Sequence, residues 1–472
     1  VSGPPGPEVE DDLPRPADPD EAEWDPDDAD LAQPTAGRVW PLAWPTMLSM
    51  ALNSSVGLVD FLIVGQLGAE SLAAAGVAHQ LHFMLFGVMA AVTTGTVALV
   101  ARACGGGRMR EADRVLRVSC ALGAALGALT CLVLPLADVV VSVFGAEPAV
   151  SGPAARYLRI LFAFNPIFAV ELVLMSGLRG AGDVRTPLWI GAVVNVVNVV
   201  LNYGLVFGAF GLPELGLDGS ALGTGIALAV GLAIPLALWW RDWLVVPRHG
   251  WLEGFDRDLA RRILRVGVPT AVEQTIWQMG LILFLRVIAG YGTEAMSAYL
   301  IGVRILSFSF VPGIGFSTAA STLVGQYLGA GRPDEAARFG WRANGGAMVV
   351  MGCVGLLIVA NARALAGLFG AAGATTVDLT VRFVWILGAV QPLMAVEFAL
   401  GGALRGAGDT RFPLVAILTG LFVFRLGSAL ALQTFHDPTV VQIWLCLVSD
   451  YAVKAIMLAT RFGSGRWKRV RV

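Results

Sequence analysis

Asp60 is the side chain in this sequence most suited to chemistry. It stands in an apolar run from about residue 39 to 65 with no Lys or Arg among its neighbours. A charge held in lipid costs several kcal/mol, roughly, and needs a reason to be there. Taking up a proton or a small cation is the chemistry that removes it. Asn53 lies two helical turns earlier and therefore on the same face. Another apolar run presents Asn195, Asn198 and Asn202 on one face, and a third carries Thr224 within Ser220-Ala221-Leu222-Gly223-Thr224. One carboxylate among amides and a hydroxyl suits a proton or small-cation site. The competing role for the asparagines is to hydrogen-bond helices together.

A second set lies in the later half. Glu273 is a candidate proton or substrate site, or else an ion-pair partner for an arginine such as Arg304. Arg425 sits inside an apolar segment and needs a carboxylate, with Glu397 and Glu273 the candidates. Asp450 and Lys454, four apart on a helix, can neutralise each other. Asp183 and Asp409 occupy turns beside arginines and read as ion-paired staples. His79 and His82, three apart, could share a face, but two histidines are weak grounds for a metal site. Met47, Met50, Phe61, Phe83, Met84, Phe86, Trp277, Met279, Phe308 and Phe316 are candidates to line a greasy cleft. There is no His-Glu-x-x-His and no Gly-rich nucleotide loop ending in Lys-Ser/Thr, and the five cysteines show no paired spacing. The expectation is therefore a protein that is not an enzyme, with no metal or cofactor beyond H⁺ or Na⁺ as a coupling ion.

The elements that hold these residues must lie in a bilayer. The chain has 472 residues, 56% hydrophobic and 14% charged, with mean hydropathy +0.70. Soluble domains carry roughly a quarter charged residues. Twelve segments are long enough to span: 39–65, 76–103, 115–144, 154–178, 187–210, 217–240, 262–290, 295–327, 338–369, 377–404, 412–434 and 438–460. Arginines crowd the connections after the second and sixth segments and the C-terminus, while the alternate loops hold no Lys or Arg. Positive loops stay inside, which places both termini in the cytoplasm; the expected location is the inner (plasma) membrane. The expected partners are the lipid bilayer and a small amphipathic substrate, with no nucleic acid, for a monomeric protein. Residues 1–36 are acidic and proline-rich and read as a disordered tail.

The sequence also repeats itself. Leu178-Arg179-Gly180-Ala181-Gly182-Asp183 returns in the second half as Leu404-Arg405-Gly406-Ala407-Gly408-Asp409. At nearly the same offset, Gly107-Arg108 with Glu111 returns as Gly331-Arg332 with Glu335, and Gly68 and Glu70 return as Gly292 and Glu294. Six segments per half is an even number, so the halves are parallel repeats. The expected fold is an all-α integral membrane protein of twelve transmembrane helices, in two pseudo-symmetric six-helix bundles forming a V-shaped cleft. The expected domains are an N-lobe over 37–240, a linker over 241–261 where Asp256 caps a short surface helix, a C-lobe over 262–461 and a basic tail over 462–472.

These motifs resemble the multidrug and toxic compound extrusion (MATE) family. The resemblance covers about residues 38–462 and rests on the repeated Leu-Arg-Gly-Ala-Gly-Asp, on Val59-Asp60 with Val64-Gly65, and on Leu323-Val324-Gly325-Gln326. An aspartate in the first helix is similar to the DinF-type branch. The resemblance implies a cation-coupled antiporter that exports amphipathic, often cationic, molecules by alternating access, with the first helix bending when Asp60 is protonated; of the residues here that could form the hinge, Pro45 and Gly57, Gly57 lies nearer Asp60. It also implies an N-lobe ion site at Asp60, Asn198, Asn202 and Thr224, where the family's second aspartate has become Asn202. Losing that carboxylate favours H⁺ over Na⁺. The rival readings are a lipid-linked flippase of the related superfamily and a major-facilitator transporter, whose Asp-Arg-x-Gly-Arg loop is absent here.

Overall fold

Backbone in lipid must satisfy its own hydrogen bonds, and for apolar runs of this length the α-helix does so. The structure, a computed structural model, is helical throughout and describes residues 39–143, 147–247, 255–370 and 373–470, with the side chains of 84–86 and 143 outside the described set. The expected tail 1–36 and the middle of the linker also lie outside it.

In the first half, α1 is Val39–Gly65, α2 Ala69–Gly105 and α3 Met109–Thr130, which runs through a 3-10 turn at Cys131–Leu136 into α4, Ala137–Val143. Next come α5 (Pro148–Ala163), α6 (Asn165–Gly180), α7 (Arg185–Phe207) and α8 (Gly216–Trp240). The second half opens with α9 (Arg257–Ala289), α10 (Thr293–Leu306), α11 (Phe310–Gly329), α12 (Pro333–Ala360) and α13 (Ala362–Leu368). It continues with α14 (Ala374–Ala389), α15 (Gln391–Gly406), α16 (Arg411–Leu418), a π-helix over Thr419–Gly427, α17 (Ser428–Phe435) and α18 (Val440–Gly463). Among the described residues, ten stretches are long and apolar enough to span, and up to twelve if each bent pair is one span. The bent pairs are α5/α6 at 51° and α14/α15 at 49°. Each carries a proline, Pro166 or Pro392, just past the break, where a helical N–H is missing and the ring clashes with the preceding turn.

The repeat in sequence is a repeat in structure. α2 of the first half corresponds end to end with α10 and α11 of the second: Ala69 maps onto Thr293 and Gly105 onto Gly329. In the same way α5 and α6 map onto α14 and α15, with every limit in register. Turn glycines with positive φ recur as well, Gly107 at 73° with Gly331 at 69°, and Gly182 at 92° with Gly408 at 80°. Three expectations shift. The second helix begins at Ala69 rather than 76. The eleventh segment contains the π-helix. Asp256 does cap a helix, accepting from Asp258 and Leu259 N–H, but the helix is α9 itself rather than a separate surface element.

Cleft and seam follow from how the cores divide. At the end away from the arginines the two halves have separate cores. One contains Val64, Tyr157, Leu161 and Leu217, the other Phe284, Tyr299, Phe383 and Trp444. At the arginine-rich end the cores are shared. Leu42, Ala43 and Val184 join the second half, and Leu259, Ile263 and Val266 of α9 join the first. The helices touch there because they carry glycine. A Cβ on Gly105 would lie 2.0 Å from the Gln326 carbonyl, and one on Gly329 would lie 2.0 Å from that of Arg102. Gly267 backs onto the Ala91 carbonyl just as closely. Polar cross-locks add to this. Arg102 donates to the Ala407 carbonyl at 2.8 Å, and Gln326 donates to the Gly180 carbonyl at 3.2 Å. Arg102 and Gln326 occupy equivalent positions of the repeat, so each half's repeated motif accepts a donor from the other half. Arg102 also holds the Val470 carbonyl at 2.9 Å. The C-terminal segment is thus packed rather than a free basic tail. Trp467 is fully buried and stacked 4.6 Å from Phe462.

Candidate functional site

The polar residues of the first half converge. α1 and α7 run side by side in constant register, so that Asn53 faces Asn195 and Asp60 faces Asn202. Asn202 Nδ2 donates to Asp60 Oδ1 at 2.6 Å. With its carboxamide nitrogen turned to the carboxylate, Asn198 donates to both Asp60 oxygens at 2.9 and 3.2 Å, and its oxygen lies 3.2 Å from Thr224 Oγ1. Thr224 in turn reaches the Ser220 carbonyl at 3.0 Å, and Ser220 Oγ lies 3.4 Å from the Tyr157 hydroxyl. Asn202 is fully buried and its Oδ1 has no partner. Asn195 and Asn53 form their own rung two turns nearer the seam, at 3.2 Å. They belong to the same helix pair but do not touch Asp60.

Among the described residues no cation is paired with Asp60, and the groups bonded to it are neutral amides. It occupies a half-buried position in α1, where Leu58, Phe61 and Leu62 are exposed. Phe83, Met279 and Phe308 are also exposed, whereas Phe316 is core. Met84 and Phe86 lie outside the described side chains. His79 and His82 pack against Tyr157, Phe162 and Phe168, and no group of three metal-binding side chains occurs among the described residues.

In the second half Asp450 and Lys454 pair as expected and Glu273 pairs with an arginine, but the partner of Arg425 differs from expectation. Arg425 binds Asp450, not Glu397 or Glu273, and lies over the Phe284 and Tyr451 rings at 5.7 and 5.5 Å. Glu397 binds Lys454 at 2.8 Å, and Lys454 stands 3.4 Å from Asp450. Glu273 pairs with Arg405 at 2.6 Å rather than Arg304. Three cations and three carboxylates therefore form a balanced series, buried at Arg425, Asp450, Lys454 and Glu273 and half-buried at Glu397 and Arg405. Asp409 is ion-paired with Arg461 at 2.7 Å, as a staple should be. Asp183 instead accepts from the Arg185 and Thr186 N–H groups at 3.1 and 2.9 Å, tying down the start of α7. Arg405 and the cross-locking Arg102 and Gln326 were not singled out by residue type. Their matched positions in the repeat were the available signal.

Comparison with known proteins adds a frame to this geometry. The family model MatE matches residues 45–204 and 269–430, once in each half. A probable multidrug resistance protein NorM of Thermotoga maritima is 28% identical over 432 residues, covering 91% of this chain and 92% of the relative. Another from Bradyrhizobium diazoefficiens is 30% identical, covering 89% and 91%. A solved structure described as the outward-facing conformation of a multidrug resistance MATE family transporter superimposes with a TM-score of 0.83 at 22% identity, over 91% of this chain and 96% of that one.

Proposed function

Since the chain belongs to the MatE family of membrane transporters, which are not enzymes, we propose that it is a proton-coupled antiporter whose coupling residue is Asp60. Its cargo is an amphipathic, often cationic, drug or metabolite, moved outward across the inner membrane with both termini in the cytoplasm. The presence of Asp60 in α1 supports the DinF-type branch. The observation that carries the reading is a carboxylate held by two amide nitrogens with no cation beside it among the described residues. The amides satisfy the ionised form when the site is empty, and a proton neutralises it when full. Alternating access needs a ligand with different affinity for the two states. Neutral and ionised Asp60 pull differently on Asn198 and Asn202, and through them on the α1–α7 contact. Na⁺ would need oxygens rather than N–H groups turned toward it. The partnerless Asn202 Oδ1 is a feature that favours Na⁺.

The test is dye movement in proteoliposomes under a pH gradient or a Na⁺ gradient, each imposed alone. Wild type should respond to the pH gradient and Asp60→Asn should not. A response to Na⁺ alone would replace H⁺ as the coupling ion. A pH response that survives in Asp60→Asn would remove Asp60 from the mechanism.

A further inference from the structure

The floor of the cleft lies just above the glycine seam, on the axis relating the two halves. It is a cavity of about 220 Å³ lined by α2, α6, α9, α11 and α15. Its lining is rich in hydroxyls, and two guanidiniums enter it, Arg179 and Arg405, the equivalent arginines of the repeated motif. Their surroundings differ. Arg405 is neutralised by Glu273 at 2.6 Å. No carboxylate among the described residues stands within 4.0 Å of Arg179. The position in the first half that corresponds to Glu273 is Ser49, which has no charge to offer. Glu171, two turns earlier on the same helix, is the carboxylate whose charge reaches Arg179, but the two form no ion pair and the Glu171 side chain packs toward Gly231 of α8. The Arg179 backbone is fixed from the opposite half, since Thr322 Oγ1 donates to its carbonyl at 2.8 Å. Also on this floor, Thr270 is 4% exposed and its hydroxyl has no partner.

We propose that this floor is a recognition site for an acidic group, a carboxylate or its like, on the transported molecule, with Arg179 as the charged donor and the surrounding hydroxyls, Thr270 among them, completing its hydrogen bonds. A guanidinium offers a planar fork of donors matched to such a group. The cargo class becomes amphiphiles that carry an acid, zwitterions included, rather than simple cations. The word cargo rests on the exporter reading; the binding site does not.

The probes are a zwitterionic rhodamine acid and its methyl ester, which differ only at the carboxyl group, titrated by fluorescence anisotropy against the purified full chain. Wild type should bind the acid about tenfold more tightly than the ester, a difference of about 1.4 kcal/mol. Arg179→Gln should bring the ratio to about one with ester binding unchanged, while Arg179→Lys keeps part of the preference. Ser49→Glu leaves Arg179 in place and supplies the carboxylate that its twin already has; it too should abolish the preference, and it decides the matter if Arg179→Gln does not fold. Equal affinities in wild type, or a preference that survives Ser49→Glu, overturn the site. A correct ratio without gradient-driven movement would leave the site standing and sink the antiporter. Proton-driven movement with a ratio of one would do the reverse.

Discussion

At the position where the first half carries Asp60, the second carries Phe284, and the three asparagines of α7 are matched by Leu421, Phe424 and Ser428. The scaffold is shared and the electrostatics are not. In the first half a lone carboxylate faces neutral amides. In the second, the charge facing the equivalent spot is cationic Arg425, laid over Phe284 and already bound to Asp450. A carboxylate without a counter-ion can change its charge state as part of a cycle. A buried pair with its charges matched gains nothing from doing so, because losing either partner strands the other in low dielectric. On the proposed reading, one bundle switches and the other stays put.

The sharpest way to break this contrast is to remove one carboxylate from each half. Asp450→Asn strands Arg425, which is 2% exposed, and should cost about 3–5 kcal/mol, seen as a large loss of thermal stability in detergent. Asp60→Asn strands no cation and should shift stability by about 1 kcal/mol or less. Equal losses would mean the two halves do not differ in kind. The contrast sharpens in a double variant, Arg425→Leu with Asp450→Leu. Removing both members of a buried pair is often nearly neutral, so stability should recover to within about 2 kcal/mol of wild type, and pH-driven dye movement should persist. Loss of movement in that stable variant would give the second half a coupling role.

A smaller effect separates the asparagines. Asn198 and Asn202 both donate to Asp60, so Asn202→Ala and Asn198→Ala should each weaken the ionised form by about 1.5–3 kcal/mol, as for hydrogen bonds to charged groups. The pH at which transport is half-maximal should move upward in both, since the protonated form then persists to higher pH. Asn195→Ala, one rung away, should leave it in place. The last contrast lies at the seam. Arg102→Ala removes two carbonyl contacts made by a charged donor, at about 1.5–3 kcal/mol each, and Gln326→Ala loses a neutral contact to the Gly180 carbonyl, at about 1 kcal/mol. Cysteine labelling of the seam should therefore rise more in the first variant than in the second.

Much of the fold was legible because membrane helices announce themselves by length and because the motif around Arg179 and Arg405 is written twice. The first-half cluster was legible because spacing put Asn195, Asn198 and Asn202 on one face, and the family resemblance then singled out Asn198, Asn202 and Thr224 as the neighbours of Asp60. The partner of Arg425 was not. Asp450 lies on another helix, α18, and the π-helix that carries Arg425 turns it to a face that regular α-helical spacing does not give. Nor did residue type reveal the cross-locks of Arg102 and Gln326, whose acceptors are backbone carbonyls on the opposite half.

The most direct test of a switching first half is proton release on cargo binding, followed with a pH indicator in weakly buffered detergent solution. If cargo and proton compete through Asp60, wild type releases protons as dye binds, the Arg425→Leu and Asp450→Leu double variant does the same, and Asp60→Asn binds dye silently. Release from Asp60→Asn equal to that of wild type would contradict the account and place the coupling elsewhere in the protein.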